Sequence, residues 1–582
     1  MTLTGDAALL PVAVVAPITG AVLAPVLSRL SGRLALVCSL VAMTVSALVL
    51  ISVAGTTYGG RVVVEHIGNW RPVHGTQLGV TFAADPFGLT FALLSAVIGA
   101  VLLLFTASEL GELGGRELGG YASLMQLLLA ALIASGLSAD ILNLFVWFEV
   151  AALASYGLTG FFLERPIALE AAFKTMVLTN MAAFYVFVAV AVTYAGHGAL
   201  NVGQVRAAIG ADPRTADVVA LGLVVAGFGT KAGLVPFHGW LPDAHTAAPG
   251  PVSALFSGLM VNLGVLGIAR VVMVTHALHR GQVMVLLTVV GGLSAVVGAA
   301  MALVQDDLKR LLAYDTVSQM GVLVAALGVG TPESLTGMVY QLVNHALFKT
   351  LLFLCAGAIV HATGMTRLSE MGGLARHRPL VTVAFVIGVA AIAGVPPLNG
   401  YVSLGLIHHA VESGHPVLLV VLTLAQVVTV AALGRATYLA FFRRRDDDYD
   451  RIEKPTVGMV VSFLVLAGGC VAFGALPNLV LDHLARPAAS SLTAGGAYAR
   501  AVLDFGGRLP VPEATFRYLD PARLLVIGGT IALGLLLAAW VVRHPEPRLM
   551  RPLQALHTGG VNDYATYAVL GTVVCVFGLV LT

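Results

Sequence analysis

The sequence predicts an all-α polytopic membrane protein with about 16 transmembrane helices. Composition is the first reason, because 58% of the 582 residues are hydrophobic and only 11% are charged, whereas soluble domains carry about 25% charged residues. The second reason is a series of apolar runs, each long enough to cross a hydrocarbon core of about 30 Å. These observations exclude a soluble globular protein.

The transmembrane spans are separated by glycine, proline or charged clusters, which mark where each helix ends. Their predicted centres lie near residues 18, 44, 96, 128, 150, 181, 226, 262, 291, 320, 348, 391, 428, 466, 532 and 572. Two longer segments are predicted to be external and peripheral. Residues 55–85 alternate in a way that indicates a short hairpin, and residues 477–522 form an amphipathic stretch.

Basic clusters predict the orientation of the bundle. With the N-terminus outside, the clusters at residues 367–378, 443–445 and 543–551 all fall on the cytoplasmic side. An even number of spans returns the C-terminus to the outside, and the missing basic n-region predicts no cleaved signal peptide. We therefore expect a multi-pass protein of a prokaryotic cytoplasmic (inner) membrane with both termini outside.

An internal repeat predicts where transport occurs. The segment AFKTMVL around Lys174 recurs as LFKTLLF around Lys349, and the two copies run in opposite directions in the predicted threading. Each copy precedes a span that proline interrupts, at Pro236 and at Pro396-Pro397. Paired interrupted helices indicate a transport site, because irregular backbone at membrane depth persists only where it lines a polar cavity.

The repeat divides the chain into four predicted parts. Residues 1–110 hold helices 1–3 with the external hairpin, and residues 111–278 form a first inverted repeat of helices 4–8. Residues 279–445 form the second inverted repeat of helices 9–13. Residues 446–582 hold helices 14–16 with the external amphipathic segment, and helices 7 and 12 are the broken ones.

The sequence offers no visible means of binding a cofactor. Its four cysteines are widely spaced in apolar segments, so no CxxC pair predicts an iron, zinc or redox-disulfide site. Neither a phosphate loop nor a dinucleotide fingerprint is present. We expect no cofactor, no resident metal and no nucleic-acid partner, so that energy has to come from other subunits.

Two ionisable residues fall at the centres of apolar spans, where a charge is costly unless it is paired or hydrated. Glu149 lies in ILNLFVWFEVAALASYGL, and Lys231 lies in ALGLVVAGFGTKAGLVPFHGW, five residues before the proline break. Apolar surroundings disfavour the charged form of a lysine, and a nearby carboxylate favours that form again. If the influence of the carboxylate is moved away, the lysine releases its proton. We predict a functional pair; the alternative is a fixed ion pair between two helices.

The eleventh span carries a polar ladder. Gln341, His345 and Lys349 recur at i, i+4 and i+8, which stacks them on one helical face. Histidine exchanges protons near neutral pH and lysine can store one. The ladder therefore predicts part of a proton relay with water between its rungs, whereas a lone His345 is equally explained as a hydrogen-bonded core residue.

Further candidates flank this axis. Lys174 is predicted either to belong to the buried axis or to snorkel towards the surface. His238, Asp243 and His245 follow the break in the seventh span, where a polar channel mouth is expected. Lys309 lies near the inner surface beside two aspartates, as a channel entrance or as part of an interfacial ion-pair cluster.

Three long motifs follow one another in the middle of the chain: GFGTKAGLVPFHGWLPDAHTAAPGPVSALFSG, DDLKRLLAYDTVSQMGVL and NHALFKTLLFLCAGAIVHATG. Together they closely resemble the antiporter-like membrane subunits. This superfamily includes proton-pumping subunits of complex I, large subunits of Mrp-type antiporters, and membrane subunits of energy-converting hydrogenases and formate hydrogenlyase. The resemblance covers about residues 85–440. In addition, the C-terminal segment RPLQALHTGGVNDYATYAVLG is similar to the tail of the hydrogenase-type members, which have two helices beyond the usual fourteen.

The resemblance implies a core of fourteen helices, in which two inverted five-helix units each form a half-channel. It implies that Glu149 matches the fifth-helix glutamate, Lys231 the seventh-helix lysine, and His345 with Lys349 the eleventh-helix relay. Such proteins bind no cofactor themselves. They move protons, or exchange them for sodium, as subunits that neighbouring subunits drive.

The sequence departs from the family pattern at three positions. Leu404 stands where the family has lysine or glutamate after the twelfth-helix break, so the usual terminal proton carrier is missing. Asn262 stands where many relatives have lysine, and Gln341 where some have histidine; neither amide holds a proton at neutral pH. His408, one turn beyond Leu404, is predicted to substitute as carrier, with His409 as a poorer candidate.

These features predict a proton-translocating subunit of a membrane-bound redox complex, hydrogenase- or complex-I-related, with membrane partners and a peripheral redox module. Protons enter from the inner side towards Lys231, cross along Glu149, Lys231, His345 and Lys349, and leave near His408. Two alternatives stay open. One is a subunit of an Mrp-like cation/proton antiporter or inorganic-carbon uptake system, and the other is a transport-inactive scaffold that anchors partner subunits.

Overall fold

Helices account for most of the described chain, and they confirm the predicted fold class. The computed structural model describes residues 7–73, 76–110, 113–209, 214–275, 280–412, 414–444, 455–503, 508–514, 516–518, 520–544 and 559–581. Within them, 15 helices are long and apolar enough to cross a membrane. The broken twelfth helix adds one more span, which gives the sixteen predicted.

We number the spans α1 to α16 and divide the two broken ones into parts a and b. They are α1 (Leu10–Leu27), α2 (Gly32–Tyr58), α3 (Pro86–Glu109), α4 (Gly115–Leu137), α5 (Ile141–Thr159), α6 (Pro166–His197), α7a (Thr215–Ala232), α7b (Trp240–Ala247), α8 (Gly250–Leu255, a π turn at Phe256–Met260, then Val261–Thr275), α9 (Arg280–Leu303), α10 (Leu308–Val329), α11 (Pro332–Thr363), α12a (Pro379–Ala393), α12b (Asn399–Glu412), α13 (Pro416–Thr437, then a π turn at Tyr438–Phe442), α14 (Val457–Ala475), α15 (Pro521–Arg543) and α16 (Val561–Val580).

Shorter elements connect the spans. They are β1 (Val63–His66), a 3-10 turn at Ile67–Asn69, β2 (Thr81–Ala84), and short helical segments at Val202–Ile209, Leu374–His377, Pro477–Val480, Leu481–Ala485, Arg486–Thr493 and Gly495–Val502. Strands β1 and β2 pair antiparallel, with Val63 opposite Ala84 and His66 opposite Thr81. The predicted hairpin is therefore confirmed and its external position stays a prediction, although α2 continues into the first residues of the predicted segment.

Local chemistry explains where these helices begin and end. Several spans start at a side chain that accepts a hydrogen bond from a backbone N–H of the first turn; these caps are Asp85, Asp140, Asp307, Thr331 and Asp520. The first parts of the two broken helices end in a manner common to both. Both α7a and α12a end at a glycine in the left-handed conformation, Gly233 with φ 72° and Gly394 with φ 76°.

The two ends of the bundle differ in character. One end, which we call the basic face, carries the loops with Arg367, Arg376 and Arg443, and the guanidinium of Arg443 binds carbonyls of the loop before α12a. The other end, the hairpin face, carries the β-hairpin. Odd-numbered spans begin at the hairpin face and even-numbered spans at the basic face, so α6 and α11 run in opposite directions, as predicted for an inverted repeat.

Three predicted boundaries lie outside the described residues. The divisions after residues 110, 278 and 445 fall on or beside residues 111, 278–279 and 445–446. Residues 445, 548 and 551 of the basic clusters, and the first eight residues of the ending motif, also lie outside the described part. These divisions stay predictions.

The prediction that the second external segment is peripheral was wrong. Its short helix Arg486–Thr493 packs on α3, and Gly495–Val502 packs on α8. Tyr498 is completely buried, and the hydroxyl of Ser491 accepts a hydrogen bond of 3.3 Å from the backbone N–H of Phe87. The segment therefore forms part of the core at the hairpin face rather than a surface appendage.

A buried ion pair explains this docking. The guanidinium of Arg270 on α8 lies 2.7 Å from the carboxylate of Asp85 and donates to the carbonyl of Gly136 at 3.2 Å. The same guanidinium lies 5.0 Å from the centre of the Tyr498 ring. A pattern of apolar runs does not reveal this pairing, because its members are far apart in the sequence.

We expect Arg270→Ala to destabilise the protein by about 3 to 5 kcal/mol, since it leaves the carboxylate of Asp85 buried and unpaired. The measurement is the thermal unfolding midpoint of the purified protein, together with protease cleavage within residues 486–503. Arg500→Ala is the matched control, because Arg500 belongs to the same segment but is exposed. Equal midpoints for the two variants contradict the docking role.

Candidate functional site

The break in helix 7 places Lys231 in the interior of the bundle. Lys231 is the penultimate residue of α7a, and its side chain is 0% exposed. The chain then turns at Gly233 and restarts at Trp240, whose indole N–H donates to the freed carbonyl of Thr230 at 2.8 Å. The local sequence thus ends the helix at the depth where the lysine lies.

An aromatic ring lies beside the ammonium of Lys231. Its Nζ lies 5.2 Å from the ring centre of Phe148, which contacts Phe228 edge-to-face at 5.3 Å. Among the described residues, Nζ has no hydrogen-bond partner and no carboxylate within 4 Å. The predicted pair with Glu149 is therefore not a direct ion pair, although the charge of Glu149 still acts on Lys231.

Glu149 lies at the edge of the bundle rather than at its centre. It is half-buried, on the α5 face that also presents Val146, which is 45% exposed, and Leu153, which is 62% exposed. These neighbours form an apolar lateral surface. The carboxylate is therefore near Lys231 on one side and accessible from outside this chain on the other.

An ion cluster joins three helices near the basic face. The ammonium of Lys174 lies 2.6 Å from the carboxylate of Glu170 and 3.0 Å from that of Asp243 on α7b. The other oxygen of Asp243 lies 3.1 Å from the guanidinium of Arg310 on α10. Lys174 is buried, so its charge is held within the bundle rather than snorkelling to the surface.

A polar cavity of about 400 Å³ opens near this cluster, and its lining includes Glu109, Arg165 and Lys309. The ammonium of Lys309 donates to the carbonyl of Ala248 at 2.9 Å. Oxygen Oε2 of Glu109 is buried, and no described residue donates a hydrogen bond to it. The cavity therefore brings two carboxylates, Glu109 and Asp307, together with two cations at the basic face.

The two predicted mouth histidines are not among the residues that line this cavity. The His245 ring is completely buried and stacks on Phe353 with 4.7 Å between ring centres, while neither of its nitrogens bonds a described residue. The hydroxyl of Ser253 connects the backbone of His245 to Lys309, at 2.9 and 3.5 Å. His238 lies in the break of helix 7, beside the ring of Tyr314.

The three ladder residues of α11 are all buried, but they have different partners. Lys349 forms an ion pair with Asp315 on α10, with both side chains 0% exposed, and it also donates to the carbonyl of Leu312 at 3.0 Å. His345 packs edge-to-face on Phe348, and neither ring nitrogen has a partner in the described chain. Of the two titratable rungs, Lys349 is thus ion-paired, and His345 has no hydrogen-bond partner among the described residues.

Gln341 belongs to a hydrogen-bonded network that crosses three helices. Its amide donates to the side-chain oxygen of Gln319 on α10 at 2.9 Å and accepts from the hydroxyl of Ser403 on α12b at 2.5 Å. The amide of Asn344 donates to the same hydroxyl at 2.9 Å. This rung of the ladder therefore orders α10, α11 and α12b around the broken helix.

Helix α8 lies between the two lysine-bearing helices. Its π turn packs on α11 and its next turns pack on α7a, and the hydroxyl of Ser257 bonds that of Thr316 at 2.7 Å. Asn262 follows the π turn, and its amide donates to the carbonyl of Gly258 at 2.9 Å. π turns are frequent at functional sites, and this one adjoins the space between Lys231 and the ladder.

Sequence reasoning missed two carboxylates and the partners of a third. Asp315 stands within an apolar span and Glu109 ends another, so a search for every charge in or beside a span finds both. Asp243 lies in LPDAH, within the stretch that was predicted to form a polar channel mouth. Its pairing with Lys174 and Arg310 depends on tertiary packing across three helices, which spacing does not reveal.

A family model described as "NADH:quinone oxidoreductase/Mrp antiporter, TM" matches residues 138–429, about half of the chain. The chain belongs to this family. The matched range includes Glu149, Lys231, His345, Lys349 and the position of Leu404, so the recognised resemblance is confirmed for the segment that holds the polar residues.

Curated relatives of this antiporter-like subunit come from different complexes. It is 31% identical over 464 residues to NADH-quinone oxidoreductase subunit N of Desulforudis audaxviator, and the match covers 76% of this chain and 90% of that protein. It is 32% identical over 363 residues to an Na⁺/H⁺ antiporter subunit of Alkalihalophilus pseudofirmus, covering 61% of this chain and 71% of that protein. These relatives are subunits of multisubunit membrane complexes.

A solved structure agrees with this fold. A chain of the membrane-bound sulfane sulfur reductase, an archaeal respiratory membrane complex, superposes with a TM-score of 0.78 and 27% identity, covering 85% of this chain and 99% of that chain. The antiporter-like subunit is thus a multi-pass membrane protein of a prokaryotic family of complex subunits.

Proposed function

We propose that this chain is a proton-translocating, non-catalytic subunit of a membrane-bound redox complex. The observation that carries the proposal is Lys231, a completely buried lysine beside a helix break that no described carboxylate pairs within 4 Å. Burial disfavours the charged form of such a lysine, and a neighbouring carboxylate favours it. A small change in the field of Glu149 then suffices to load or release a proton.

The first step of the proposed route begins at the basic face, which we take as the cytoplasmic side. Protons enter the cavity lined by Glu109 and Lys309 and pass His245 towards Lys231. The ion cluster of Lys174 holds α6 and α7b together beside this route. The basic loops support this orientation through the positive-inside rule.

The second step crosses from Lys231 past α8 to His345 and Lys349. Asn262 and Gln341 order water along the way but hold no proton. Lys349 releases its proton more readily when its ion pair with Asp315 weakens, and less readily when this ion pair strengthens. His408 then receives the proton at the hairpin face.

The lateral position of Glu149 supports the coupling to other subunits. A carboxylate on an apolar surface within the bilayer costs several kcal/mol unless a partner covers it. We propose that another membrane subunit covers this face of α5. A charge that moves in that partner changes the field at Glu149, which transmits energy to Lys231.

The redox interpretation draws support from the relative that is a quinone oxidoreductase subunit, since the chain covers 90% of its length. The similarity to an antiporter subunit favours a second candidate, a subunit of an Mrp-like cation/proton antiporter. The experiment that separates them is mass spectrometry of the complex that co-purifies with a tagged chain at native expression. Iron–sulfur, nickel–iron or flavin subunits support the redox proposal, and only small membrane subunits support the antiporter.

Transport itself is tested with the same complex in liposomes that contain a pH-sensitive dye. A potassium diffusion potential is imposed with valinomycin, and proton uptake is compared with that of protein-free liposomes. Uptake above this background supports translocation. Background uptake together with an intact complex supports the transport-inactive scaffold.

We expect Glu109→Gln to slow proton uptake by about tenfold, because removing one carboxylate near the entrance changes proton occupancy by about that factor. Glu164→Gln is the matched control, since Glu164 also lies at the basic face but is exposed. The liposome assay measures both. Equal rates for the two variants contradict an entrance at this cavity.

A further inference from the structure

Three helices bring charged side chains together where the second half of the bundle reaches the hairpin face. Glu333 lies in the first turn of α11, His408 and His409 lie in the last turns of α12b, and Arg523 lies in the first turn of α15. A nitrogen of His409 lies 4.0 Å from the carboxylate of Glu333. The proposed proton route ends among these groups.

Arg523 lies directly against α12b. A Cβ placed on Gly405 would lie 3.1 Å from Cδ and 3.4 Å from Nε of Arg523, so the missing side chain makes room for the arginine stem. The guanidinium lies 4.6 Å from the ring centre of Phe516 and donates to the carbonyl of Arg517 at 3.3 Å. Its position is therefore fixed beside Gly405, the residue that follows Leu404 on α12b.

The charge of Arg523 reaches the titratable groups of this end. Gly405, which the arginine stem contacts, and His408 are three residues apart on α12b and therefore lie on the same helical face. Leu404 is buried and brings no charge of its own. Helix α15 thus contributes a cation to a site whose other members belong to α11 and α12b.

We infer that Arg523 is a positioning residue that supplies, from α15, the fixed positive charge at the exit of the second half-channel. An arginine keeps its proton and cannot carry one onward. Its charge opposes a proton that stays on His408 and favours an ionised Glu333. Protons therefore leave this end towards the hairpin face instead of accumulating on the histidine.

This inference rests on the proposed translocation, so its test includes Lys231→Ala in the same liposome assay. Arg523→Gln is expected to slow proton uptake by about tenfold, whereas Arg523→Lys, which retains the charge, keeps most of it. Arg543→Gln is the matched control, because it removes the same charge from the opposite end of α15. The double variant Arg523→Gln/Leu404→Lys, which moves a cation to the neighbouring position, is expected to recover uptake.

The outcomes separate the two proposals. If Lys231→Ala abolishes uptake and Arg523→Gln behaves like Arg543→Gln, the exit role of Arg523 is wrong and translocation stands. If, instead, Lys231→Ala leaves proton uptake unchanged, the proposed function fails. Should Arg523→Gln not assemble, Gly405→Leu decides, because it displaces the arginine stem without changing any charge; unchanged uptake in that variant overturns the inference.

Discussion

Lys231→Ala is expected to reduce proton uptake by the reconstituted complex to background, a loss of about a hundredfold or more for a group that transfers the proton itself. The physical reason is that the lysine stands beside the break of helix 7, where the described chain offers no direct ion pair to replace it. Alanine removes both the charge and the exchangeable proton. The measurement is the initial rate of dye response after the potential is imposed.

Two controls make this result specific. Arg376→Ala removes an exposed charge at the basic face and is expected to leave uptake unchanged. Lys231→Arg keeps a positive charge but does not release a proton, so it is expected to be as inactive as alanine. Activity in the arginine variant would show that the charge alone suffices, and an active alanine variant would falsify the mechanism.

Asp315→Ala is expected to have the largest effect on stability. It leaves Lys349 buried without the carboxylate that faces it, and breaking a buried ion pair in this way costs about 3 to 5 kcal/mol. Both side chains are 0% exposed, so solvent cannot compensate for the loss. We expect a lower thermal unfolding midpoint, a smaller yield of assembled complex and proton uptake near background.

The double variant Asp315→Leu/Lys349→Met separates stability from transport. Replacing a buried ion pair by apolar residues of similar volume is often neutral or stabilising, so the unfolding midpoint is expected to return to the wild-type range. Proton uptake is expected to stay at background, because the relay has lost its lysine. Recovery of transport together with stability contradicts a role of Lys349 in the pathway.

The membrane fold could be predicted from the sequence because the bilayer interior offers the backbone no water to bond. Every backbone polar group within the hydrocarbon must bond inside its own segment, so long apolar runs can only become helices. The repeated lysine motif and the paired prolines marked the inverted halves and their breaks. The external segment that holds Tyr498 was misjudged, because its partners Asp85 and Arg270 are remote in sequence.

The site was predictable only in part. Mid-span position identified Lys231, Glu149 and the α11 ladder, since charges within apolar runs are costly. Spacing could not show that Lys349 is paired with Asp315. It also could not show that Lys231 and Glu149 lie too far apart for an ion pair.

The sequence by itself determined the fold class, the number of spans, the breaks in helices 7 and 12 and the family, since each depends on hydropathy, local backbone preference or a continuous motif. Only the tertiary structure decided which buried charges are paired and which are single. It also brought Arg523 of α15 beside Gly405 of α12b. The physical reason is that ion pairing depends on distances of a few ångströms between helices, and these are fixed by packing rather than by local sequence.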